Sequence, residues 1–213
     1  TGEFKVSPGT NGNNEGYQPA VVALDSNRFV VTWTNETGAA TYEVVGRIYD
    51  RAGIALSAQF SIGSLISGTG LFGAQTEITR LDDGGFAVVW RTHDGTTTGV
   101  PARVMNSDGT ARTAASVLAG DNVADISSLS NGGFIVTYDA AGALKATIFN
   151  ASGAVTVPAF TVNTTASAAR YESTVTRSDD GFIVVWESST GDGNGSAILA
   201  QRFDAAGAKV GGE

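Results

Sequence analysis

The residues of this chain best equipped for chemistry sit in glycine-rich stretches, and their spacing is informative. In "GDGNGS" (191–196), Asp192, Asn194 and Ser196 carry side-chain oxygens at alternate positions, as the first half of a calcium-binding loop does. Glu187, on the segment before it, could return as a further oxygen ligand across a hairpin. No acidic residue follows at the distance a closing bidentate glutamate needs, so a plain Asp-Gly hairpin competes with this reading. His93 is the only histidine, which rules out a zinc site built from several imidazoles. It stands beside Asp94, but no G-x-S-x-G nucleophile elbow accompanies the pair. Carboxylate pairs such as Glu36 with Asp94 or Glu187 would serve glycoside hydrolysis, yet nothing in their spacing selects one. "GTGLFG" (68–73) matches a dinucleotide fingerprint without the helix that would receive a pyrophosphate. The chemistry points away from an enzyme.

What positions these residues is a repeat. "DSNRFVVTW" (25–33), "DDGGFAVVW" (82–90), "SNGGFIVTY" (130–138) and "SDDGFIVVW" (178–186) are four copies of one segment. Their phenylalanines, Phe29, Phe86, Phe134 and Phe182, step by 57, 48 and 48 residues, and so do the closing aromatics Trp33, Trp90, Tyr138 and Trp186. An alternating run precedes each copy: "PAVVAL" (19–24), "TEITRL" (76–81), "ADISSL" (124–129) and "STVTRS" (173–178). Behind each copy comes an aromatic or Met, then Asp or Asn, two residues and Gly, at Asp50–Gly53, Asn106–Gly109, Asn150–Gly153 and Asp204–Gly207. A further apolar run closes three of the units, and its counterpart for the fourth is "EFKVS" (3–7) at the other end of the chain.

Each unit therefore reads as four strands, a to d, with period-2 alternation and no 3.6-residue period anywhere. Four-stranded units of about 40–50 residues predict propeller blades. The expected fold is all-β: a four-bladed β-propeller of four antiparallel strands per blade, residues 1–213 as one domain. The blades span about 17–63, 74–120, 123–163 and 171–210, the last closed by the N-terminal strand 3–7. That closure would leave no open sheet edge. The rival is an excerpt of a larger ring. The repeated aromatics are expected to pack, and the Asp and Asn residues to cap turns.

Composition narrows the partners. Thirteen Lys and Arg against 21 Asp and Glu give a net charge of −8 with no basic cluster, which excludes nucleic acid and disfavours an anionic membrane surface. No apolar run approaches the ~20 residues of a membrane span. There is no cysteine, hence no disulfide or thiolate metal site. No signal peptide is visible, and the chain reads as an excerpt of something longer.

The unit resembles a repeat of very large secreted bacterial proteins of calcium-binding, hemolysin-type (RTX-like) and adhesin-like character. The resemblance covers essentially the whole chain and is strongest in "DDGFIVVWESSTGDGNGSAILAQRFDAAGAKVGGE" (179–213). The third copy departs most, with its b–c connection shortened to "DAAGA" and Tyr138 in place of Trp. The resemblance implies a secreted, extracellular or cell-surface location and carries no catalytic residues to transfer.

The b–c and d–a connections carry the length variation and share one face of the ring, where binding sites on rigid scaffolds reside. Asn14, Tyr17, Asn35, Glu36, His93 and Asp94 would form a polar rim there, suited to a glycan or cell-surface polysaccharide. The expectation is a non-catalytic, lectin-like carbohydrate-binding module without a cofactor, calcium at 187–196 aside. The alternative is a structural spacer or protein-interaction propeller without a small ligand.

Overall fold

The computed structural model describes residues 2–7, 16–38, 41–65, 76–93, 98–164, 169–189 and 195–213, and the only regular structure among them is strand. The first sheet is β1 (Gly16–Ala23), β2 (Arg28–Gly38), β3 (Thr41–Asp50) and β4 (Phe60–Leu65). The second holds β5 (Thr76–Arg80), β6 (Phe86–Trp90), β8 (Thr98–Met105) and β9 (Ser116–Leu118), with β7 (Thr92–His93) a short extension paired to β8. The third is β10 (Asn122–Ser128), β11 (Phe134–Ala140), β12 (Ala143–Phe149) and β13 (Val155–Thr161). The fourth is β14 (Ala169–Ser178), β15 (Gly181–Ser188), β16 (Ala197–Asp204) and β17 (Lys209–Val210). Every pairing is antiparallel, sheets one, three and four run in chain order, the second does so apart from β7, and strands a to d of each repeat follow one another as the sequence predicts, the last strand of the fourth sheet excepted.

The turns answer to side-chain chemistry. Asp50, Asn150 and Asp204 each use Oδ1 to accept two backbone N–H groups, two and four residues ahead. Gly53, Gly109, Gly153 and Gly207 then take φ between +77° and +86°, the left-handed value such turns require. The glycine just before the b-strand phenylalanine has a different reason. A Cβ on Gly133 or Gly181 would run into the carbonyl oxygen of the strand-c aromatic opposite, Phe149 or Phe203.

Packing is between sheets. β6 is buried at every residue, so strand b of the second sheet is covered on both faces, whereas β15 alternates buried and half-buried residues as period 2 predicts. Trp90 joins the core between sheets one and two, Tyr138 that between two and three, and Trp186 that between three and four. The aromatic column is packing, as expected: Trp33, Trp90, Tyr138 and Trp186 are all buried. The inner strands pack in the order β1, β5, β10, β14.

The N-terminal segment departs from expectation. Residues 3–7 form no ladder with β16; only β17 pairs there, through Arg202 with Val210 and Phe203 with Lys209. Instead Phe4 lies against the Tyr49 ring, centroids 5.5 Å apart, and the Tyr49 hydroxyl donates to the Val6 carbonyl at 2.7 Å. The physical reason is apolar cover: Val31, Trp33, Val45 and Tyr49 form a fourth cluster on the outer face of sheet one, and Val6 packs on it.

Candidate active site

The rim residues come together only in part. Asn35 stands opposite Gly16 and Tyr17 opposite Thr34 in the β1–β2 ladder, with Glu36 next along β2. Asn35 is buried, Glu36 half-buried and Tyr17 exposed, its ring edge-on to Tyr42 at 6.5 Å. His93 belongs to the second sheet, its Nδ1 3.2 Å from Thr98 Oγ1. Asn14, Asp94, Asp192, Asn194 and the "GTGLFG" stretch lie outside the described residues. Glu187 sits half-buried on β15 opposite Ile198, and Ser196 is exposed just beyond that ladder. Among the described residues no group of three His, Cys, Asp or Glu is placed to hold a metal.

A different set occupies one register position of the inner strands. The second residue of each a-strand run is Ala20, Glu77, Asp125 and Thr174, one per inner strand. Burial raises the Glu77 carboxyl above its ordinary acidity range, and the negative charge of Asp125 raises it further. Asp125 turns toward the fourth sheet. Its Oδ2 accepts the Thr174 hydroxyl at 2.7 Å and the Val175 N–H at 2.8 Å, and its Oδ1 accepts the Ile126 N–H at 2.7 Å. The second and third inner strands are tied as well, since Ser128 N–H donates to Thr79 Oγ1 at 3.1 Å.

A second tier lies one step toward the variable loops. The residue after each b-strand aromatic is Thr34, Arg91, Asp139 or Glu187. Burial, then the charge of Asp121, raises the Asp139 carboxyl above its ordinary range. Gln18 Oε1, Thr34 Oγ1, Thr76 Oγ1, Arg91 Nε, Asn122 Oδ1 and Asp139 Oδ1 are buried without a hydrogen-bond partner. Buried polar atoms are seldom left so. These six lie where inner strands begin and b strands end. At the other end of the inner strands an ion pair joins the second and fourth sheets, Arg177 Nη1 to Asp82 Oδ2 at 3.2 Å.

Sequence reasoning quoted the runs "TEITRL" and "ADISSL" but read them as scaffold. The available signal was an acidic residue at one register position of two successive inner strands, where the first copy has Ala.

No family model matches the chain, and no curated protein matches it. Solved structures do. A GH43 β-xylosidase/α-arabinofuranosidase from a compost microbial metagenome, in complex with xylotriose, superposes at TM-score 0.53, with 10% identity over 92% of this chain and 73% of that one. A putative glycosidase from Bacteroides thetaiotaomicron gives TM-score 0.52, with 8% identity over 93% and 72%. A structure of the GH130 family of mannoside phosphorylases, said to contain glycoside hydrolases that target β-1,2-mannosidic linkages in Candida mannan, gives TM-score 0.50, with 10% identity over 93% and 70%. At this identity the likeness shows the propeller fold. It also corrects the expectation of a non-catalytic module and of no enzyme, because the fold neighbours named here are glycoside hydrolases or described as such. This chain belongs with all-β propellers built of four-stranded antiparallel sheets, similar in fold to carbohydrate-cleaving enzymes.

Proposed function

We propose that this chain is a catalytic propeller that hydrolyses glycosidic bonds. The observation that carries the reading is two carboxyls at one register position of successive inner strands: burial and the negative charge of Asp125 raise Glu77 above its ordinary range, while Asp125 accepts three hydrogen bonds. Glu77 is the general acid that protonates the departing glycosidic oxygen. Asp125, oriented by Thr174 and the Val175 and Ile126 N–H groups, is the second carboxylate, acting on water or on the anomeric carbon from the other side. The unpartnered atoms of Gln18, Asn122, Asp139 and Arg91 are the groups that sugar hydroxyls would satisfy.

We read the four sheets as the four blades of one propeller, with residues 3–7 packed on the first of them. The resemblance to repeats of large secreted bacterial proteins supports an extracellular or cell-surface setting for such a hydrolase.

The test is release of sugar from β-xylosides, α-arabinofuranosides and β-1,2-mannobiose by the purified chain. Hydrolysis is expected for at least one, falling about 10²–10⁴-fold in Glu77→Gln, the usual worth of general acid catalysis. Absence of turnover on all three, with the fold intact by circular dichroism, overturns the assignment.

A further inference from the structure

Among the described residues, one half-buried cation has no anion beside it. Arg91 follows Trp90 at the end of β6, and its Nε is enclosed without a hydrogen-bond partner. No ion pair among the described residues includes it. The other half-buried arginines described are engaged. Arg28 and Arg112 pair with Asp25 and Asp83, while Arg47 and Arg103 donate to backbone carbonyls.

The ladder fixes where this charge sits. Glu77 pairs with Val89 and Thr76 with Trp90, so Arg91 comes one residue beyond the paired stretch. Side chains alternate along a strand: Trp90 joins the core between the first two sheets, and Val89 that between the second and third. Arg91 is two residues past Val89, which puts it on the Glu77 side of the sheet, about 7 Å farther toward the variable loops. Two hydroxyls accompany it in register, on Thr76 opposite Trp90 and on Thr34 at the equivalent place of the first repeat. Thr76 and Thr34 are 3% and 2% exposed, and neither Oγ1 has a partner.

The nearby acids are not its counterions. Burial and the charge of Asp125 raise Glu77, and burial and the charge of Asp121 raise Asp139, whereas a guanidinium against either would push it down. Asp121 gives its Oδ2 to the Ala141 N–H. A sugar hydroxyl would satisfy the hydrogen bond of Arg91 but not its charge, and a charge withdrawn from water without a partner is costly.

We propose that Arg91 binds a carboxylate carried by the substrate, so that the site takes glycosides containing a hexuronic acid. A planar guanidinium matches a carboxylate through two parallel N–H bonds, and the Thr76 and Thr34 hydroxyls remain for the sugar ring. This names the substrate class of the proposed hydrolase and rests on that reading; the binding contact itself needs no turnover.

Calorimetric titration of the purified chain with D-glucuronate and D-galacturonate, against D-glucose, D-galactose and sodium sulfate, tests it. At least one uronate is expected to bind about tenfold or more tightly than its neutral parent, the worth of a charged hydrogen bond. Arg91→Met keeps the aliphatic stem and should abolish that preference, and Arg91→Lys should retain part of it. The comparison on the unaltered chain stands whether or not Arg91→Met folds. Equal affinity for uronate and neutral sugar, a preference that survives Arg91→Met, or sulfate bound as tightly as the uronate overturns the proposal. The same titration in Glu77→Gln separates the two readings. Uronate preference with no turnover of any glycoside overturns hydrolysis alone, and turnover without uronate preference overturns the role of Arg91 alone.

Discussion

Thr174 donates its hydroxyl to Asp125 across 2.7 Å, and the two residues hold the same place in consecutive repeats. One repeat step earlier, Glu77 holds that place too, within the electrostatic reach of Asp125. A repeat that exists for packing has thereby set three different polar groups side by side on successive inner strands.

Glu77 should make stability fall with rising pH. Its folded-state pKa is raised by burial and by Asp125, so between the ordinary unfolded value and the raised folded one the native state binds more proton than the unfolded state. The stabilisation is full below the unfolded pKa and is lost as pH rises through the folded one. Urea denaturation at stepped pH should show this decline, Glu77→Gln should remove it, and Asp125→Asn should shift its upper end to lower pH. An unchanged profile in Glu77→Gln would contradict the assignment of the raised carboxyl.

In the proposed hydrolysis Thr174 positions Asp125. Thr174→Val deletes the hydroxyl donor to Asp125 and keeps the shape, so kcat should fall about tenfold, the worth of one charged hydrogen bond, with KM little changed. Thr174→Ser restores the donor and should restore the rate. Equal losses in both variants would point to packing instead.

Gly63 is where the second sheet sets its tryptophan. An added Cβ would run into the Trp90 ring, so Gly63→Ala should cost about 1–3 kcal/mol, as overpacking does. Gly212, with nothing within 4 Å of its would-be Cβ, is the control and should melt as the parent does.

Phe4 and Phe60 each lie against a turn glycine, Gly53 and Gly109, at two levels of burial. Phe60 is half-buried in the core between sheets one and two, while Phe4 is 47% exposed. Phe60→Ala should lower stability by about 3 kcal/mol and Phe4→Ala by about 1 kcal/mol.

Strand order, turns and buried aromatics were legible in the chain itself. Their causes are local: period-2 alternation, an Asp or Asn three residues before a glycine, and one aromatic column. The same reading placed function on long loops, because chemistry-bearing side chains are easiest to notice where no strand pattern explains them. Glu77 and Asp125 were hidden in such patterns, 48 residues apart in the sequence. Nothing local marks an acidic residue on a strand as buried beside another; that depends on which sheet packs against which. Likewise "EFKVS" announces a strand d, but whether it meets β16 depends on the placement of sheets one and four. Repetition is written residue by residue, so the sequence by itself determined the sheets. Burial and charge coupling arise between sheets, and only the tertiary structure decided them.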